Sequence, residues 1–157
     1  MLSWPIAALA ALLSLLLLAA AYTDLRSRTI ANPLNAAIAL LAPLWWWAHG
    51  LPLWPDVAWQ IGLALMVFAL FAGAFALGMM GGGDVKMIGA LALWLPPYGL
   101  ARMLVVMALA GGVLTLLMLA AHRLRKREGQ PEIPYGLAIA AAGLWVIAND
   151  ILTSSGH

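Results

Sequence analysis

The sequence predicts an all-α, polytopic membrane protein, a bundle of about six transmembrane helices forming one domain over residues 1–157, and three observations carry that prediction. Hydrophobic residues make up 65% of the chain and charged residues only 9%, with a mean hydropathy of +0.98. A soluble domain carries about 25% charged residues, so lipid rather than water must cover most of this surface. The apolar residues also fall into runs near the roughly 20 residues a spanning helix needs. Lysine and arginine, finally, cluster in the connections that a six-span path brings to one side.

The spans are expected in order along the chain. The first runs from Trp4 to Tyr22 and is read as a retained span, because no positive segment precedes it as in a signal peptide. The second runs from Pro33 to Ala48, with Asn32 as its N-cap and proline at the first helical position. The third runs from Val57 to Met80. The fourth, Val85 to Leu95, is short and stops at Pro96-Pro97, since proline removes a donor and restricts the residue before it. The fifth runs from Tyr98 to Ala121 and the sixth from Pro134 to Asp150. Met79, Met80 and Met87 are read as packing residues.

Orientation follows from the basic residues. Arg26, Arg28, Lys86, Arg123, Arg125, Lys126 and Arg127 share one side of a six-span path, which the positive-inside rule makes cytoplasmic. Both termini then lie outside, and Trp45, Trp46, Trp47, Trp54, Trp59 and Trp94 form an aromatic belt at the outer interface. The net charge of +2 is small and its basic residues are confined to short segments, which argues against a nucleic-acid partner. Cysteine is absent, so disulfides, thiolate metal sites and a cysteine nucleophile are excluded. His49, His122 and His157 are scattered, and neither a metal nor another cofactor is expected.

Acidic residues are few, and their positions narrow the chemistry. Asp56 and Asp150 fall on the outer side, and Glu128 and Glu132 belong to the solvated basic loop. Asp24 and Asp84 remain, remote in sequence but at one membrane depth. Ionisable groups at such positions are costly unless solvated, paired or used. Two adjacent carboxylates cannot both ionise easily, so one keeps a proton while the other acts as base on a water between them. Asp84 follows Gly81-Gly82-Gly83, a run expected to give the backbone unusual freedom and leave room for a peptide. The plainer readings are a helix N-cap for Asp84 and a salt bridge to Arg28 for Asp24. Lys86 reads first as a topological residue reaching the headgroups, and Arg123 to Arg127 as an anchor to anionic lipid.

The segment Gly81 to Asp84, extended by Val85-Lys86, resembles the second catalytic motif (GxGD) of type IV prepilin peptidases. The segment around Asp24, with Arg26, Arg28, Ile30 and Asn32, resembles the first, and Pro134-Tyr135-Gly136-Leu137-Ala138 resembles the opening of that family's last helix. The resemblance implies a bacterial inner-membrane aspartic endopeptidase that cuts the basic leader from prepilins or pseudopilins at the cytoplasmic face. Asp24 and Asp84 would be its catalytic pair, with Gly81, Gly83, Lys86 and Arg28 shaping the site. Ala31 departs from the proline usual before the asparagine. The family's larger members also methylate their product and carry a four-cysteine zinc insertion; this chain has neither cysteine nor insertion, and its compact form resembles the tight-adherence pilus peptidases. Two rival functions use the same aspartates: a presenilin-like protease cutting within a span, and a small proton-coupled transporter. The sequence leaves oligomeric state open.

Overall fold

A computed structural model describes residues 4–124 and 134–154, the side chains of Arg123 and of 151–154 excepted. The expectations for Arg125, Lys126, Arg127, Glu128, Glu132 and His157, and for the Arg123 side chain, lie outside what it describes. Among the described residues there are six α-helices and no strand. They are α1 (Trp4–Ser27), α2 (Asn32–Ala48), α3 (Ala58–Ala76), α4 (Gly82–Ala92), α5 (Pro97–Leu124) and α6 (Tyr135–Ser154), with a wide turn at Leu53–Val57 leading into α3.

The all-α membrane architecture is as the sequence predicts, and the breaks follow its punctuation. The Pro96-Pro97 pair separates α4 from α5. α3 ends at Ala76 rather than Met80, because the chain turns at Gly78, whose φ of 71° suits glycine. α1 continues past Tyr22 to Ser27 and carries Asp24 inward on its last turn. Among the described residues three segments are long and apolar enough to cross a bilayer unaided: α1, Leu53–Ala76 and Pro97–His122. α4 is not one of them. Its 11 residues rise roughly 16 Å, about half of a hydrocarbon core.

That short helix is instead the centre of the bundle. Val85, Met87, Ile88, Gly89, Ala90, Leu91 and Ala92 are all buried, so α4 is apolar on every face because protein surrounds it. α2, α3 and α6 pack on it, α1 packs on α2 and α6, and α5 packs on α6. Leu13 and Leu17 of α1, Ile38 of α2, Met103 of α5 and Ile139 and Val146 of α6 complete the core. Outside it, Leu40, Leu65, Leu70 and Leu116 are exposed, an outer surface suited to lipid rather than water.

The helices bring alternate ends together. The last turn of α1 meets the start of α6, and the start of α2 meets the start of α4. At the other end, Gln60 at the start of α3 donates to the carbonyls of Ala92, the last residue of α4, and of Leu95 just beyond it. Two of the expected belt tryptophans face inward there. Trp94 is 3% exposed and donates its indole N–H to the Ile38 carbonyl at 2.8 Å, and Trp46 donates to the Leu93 carbonyl at 2.7 Å. A buried indole needs such a partner. Trp47, Trp54 and Trp59 are exposed as a belt requires, and so is Met79, which does not pack the core.

Candidate active site

Asp24 is only 4% exposed, and it reaches the N-terminus of α6. The Leu137 N–H donates to its Oδ2 at 3.1 Å, and the Gly136 N–H also faces the carboxylate. The first N–H groups of a helix lack intrahelical partners and attract anions, so Asp24 of α1 caps a helix that begins more than a hundred residues later. Gly136 has to be glycine for this approach. A Cβ there would lie 2.8 Å from Asp24 Cγ and 2.7 Å from Ile30 Cδ1.

The plainer reading of Asp24, a salt bridge to Arg28, is not what holds it. Among the described residues the one ion pair is Arg102–Asp150, at 3.9 Å at the far end of the bundle. Arg28 instead terminates α1 with its backbone: its φ is 55°, and its N–H donates to the Asp24 carbonyl at 2.9 Å. This left-handed C-terminal turn usually falls to glycine. The Arg28 charge lies close enough to act on Asp24 without a direct contact.

Asp84 lies on the first turn of α4, but it is not the N-cap. Gly81 is the cap residue, and Asp84 three positions later turns back so that its carboxylate meets the Gly81 N–H. This is the reach-back half of a capping box. The glycine run serves close approach rather than unusual torsion angles. Gly81 has φ −73° and ψ 143°, which any residue adopts. A Cβ on Gly81 would lie 3.1 Å from Asp84 Oδ2, and one on Gly83 would press on Ile30 at 3.3–3.4 Å. Ile30, buried at 6% exposure, therefore fills the space between Gly83 on one side and Gly136 on the other.

The two carboxylates come from α1 and α4 and lie close enough for the charge of Asp24 to act on Asp84. Two polar side chains of α2 complete this end. Asn35, which sequence reasoning passed over, donates its Nδ2 to the Gly83 carbonyl at 3.1 Å, next to Asp84. Asn32 does not cap α2; Ala31 holds that position with no side-chain bond, and Asn32 Oδ1 accepts from Lys86 Nζ at 2.8 Å. Lys86 is thus tied to the start of α2, two residues past Asp84. The signal for Asn35 was present only as a second amide in Asn32-Pro33-Leu34-Asn35, a spacing that fits any helix start.

Comparison with protein families matches residues 11–118 to the type IV leader peptidase family. The chain belongs to that family. The match includes both aspartates and the glycine run, and the protein is accordingly a peptidase of the type IV leader peptidase kind. It stops before α6, so the N–H groups of Gly136 and Leu137 that hold Asp24 lie beyond the matched segment. No curated protein and no solved structure matches the chain.

Proposed function

We propose that the protein is a membrane aspartic endopeptidase, a single domain that removes the basic leader from prepilins or pseudopilins at the cytoplasmic face of a bacterial inner membrane. The observation that carries this reading is the convergence of Asp24 and Asp84, two acids from remote helices that come close enough for the charge of one to act on the other, at one end of a bundle otherwise poor in charge. Family membership supplies the leader-peptide substrate class.

In the mechanism, one aspartate is ionised and the other protonated, and a water sits between them. The ionised carboxylate takes a proton from the water as its oxygen attacks the peptide carbonyl carbon. The protonated partner gives its proton to the carbonyl oxygen, forming a neutral tetrahedral adduct. That adduct breaks its C–N bond as the amine nitrogen takes a proton from the first aspartate, and the second recovers its own. Gly81, which is exposed beside the Asp84 carboxylate, leaves room for an extended peptide to approach the pair. Lys86 and Arg28 shape the approach, and Lys86, Arg26 and Arg28 at this end support a cytoplasmic orientation.

The test is purified protein with a candidate prepilin, followed by sequencing of the product's N-terminus. A cut at the junction of leader and apolar segment is the expected result. A cut deep in the apolar segment would replace this reading with a presenilin-like one. Proton flux in liposomes without hydrolysis would replace it with a transporter.

A further inference from the structure

A groove of about 420 Å³ opens beside the aspartates without including either of them. α4 forms its floor at Gly89 and Ala90, α2 one wall at Ala36 and Ala39, and α3 the other at Ala64 and Phe68. On α4 the lining runs from Lys86 to Leu93, two helical turns or roughly 10 Å along the axis. The walls are almost wholly apolar. The polar end lies at Asn32, Asn35 and Lys86, and Lys86 is two residues past Asp84. The groove therefore leads away from the carboxylates along the bundle.

Asn35 adds an independent observation. It is 4% exposed, and its bond from Nδ2 to the Gly83 carbonyl fixes which way the amide points. Its Oδ1 is then left buried with no partner among the described residues. Buried acceptors are rarely left unmet, and each such case calls for an explanation. This one lies between the residue preceding Asp84 and an apolar groove.

We infer that the groove receives the apolar stretch of the substrate adjoining the cut bond, and that Asn35 Oδ1 accepts a backbone N–H of that peptide. The inference rests on the peptidase reading above. A peptide brings both things the site lacks, a donor for Oδ1 and apolar side chains for the walls. A lipid acyl chain would fill the same space but brings no donor. The small side chains of Ala36, Ala39 and Ala64, with Gly89, let a peptide backbone come close.

Ala36 is exposed within the groove, so Ala36→Leu narrows it without entering the core. The assay compares two substrates, one with its full apolar segment and one truncated shortly after the cut. Wild-type protein is expected to show the lower KM for the full substrate. In Ala36→Leu that advantage shrinks about tenfold, the effect falling on KM. Asn35→Leu, checked for unaltered thermal unfolding, raises KM for both substrates, because the bond it removes lies next to the cut. An unchanged KM ratio in Ala36→Leu, or a shift of both substrates together as displaced lipid would give, overturns the inference. So does an Asn35→Leu variant with wild-type KM. In each of these cases cleavage by the wild type leaves the peptidase reading standing; only a wild type that cuts neither substrate removes that as well.

Discussion

At the end of the bundle away from the aspartates, Trp46, Trp94 and Gln60 each reach across to a main-chain carbonyl, and Arg102 meets Asp150. At the aspartate end the polar groups are as numerous but differently matched. The charge of Asp24 acts on Asp84, Lys86 bonds a neutral amide, and the Asn35 Oδ1 has no partner among the described residues. The first end resembles a sealed joint, in which Trp46 and Gln60 meet the carbonyls freed where α4 stops and Trp94 ties that end to α2. The second keeps an acid pair and an acceptor beside closely packed glycines. A short central helix makes both possible: its C-terminal end is stitched shut, and its N-terminal end presents Asp84.

This contrast can be broken by substitution, with the largest effect at the aspartate end. Gly136→Ala places a Cβ against Asp24, which is held by the α6 N–H groups and cannot simply swing aside. Cleavage is expected to fall on the order of 100-fold, the penalty of a small misplacement of a reacting group. Thermal unfolding should change far less than activity. A near-normal rate would show that Asp24 need not lie where α6 holds it.

A smaller effect of the opposite kind is expected from Trp46→Phe. It removes the indole donor from the Leu93 carbonyl and should destabilise the fold by about 1–3 kcal/mol. Cleavage per folded molecule should remain at the wild-type level. A specific loss of activity with unaltered unfolding would mean that the two ends are coupled and that the comparison is wrong.

The fold was legible because apolar runs and proline pairs are local signals, and Pro33, Pro96-Pro97 and Pro134 mark helix boundaries that the structure keeps to within a few residues. The acid pair was legible for a different reason: in a chain with six acidic residues, two at a shared depth stand out. What could not be read was how they are held. Asp24 is positioned by backbone N–H groups of α6, and a sequence displays side chains, not main-chain donors. The glycine run was noticed, but the unusual torsion angles expected of it are not there, since torsion freedom and close packing leave the same letters. Trp94 was misplaced in the outer belt because an indole at a helix end looks the same whether it faces lipid or a neighbouring carbonyl. Asn32 and Asn35 exchange the importance their positions imply, because capping is a local rule and the contacts with Lys86 and Gly83 span α2 and α4.

The central claim is that Asp24 and Asp84 act as one catalytic unit, and a double-substitution cycle addresses it directly. Cleavage of a prepilin would be measured for Asp24→Asn, Asp84→Asn and the double variant, with folding verified for each. If the acids share one nucleophile, either single change abolishes turnover and the double variant is no worse than the singles. Independent, multiplying losses, or a single variant that still processes its substrate at a near-normal rate, would contradict the account.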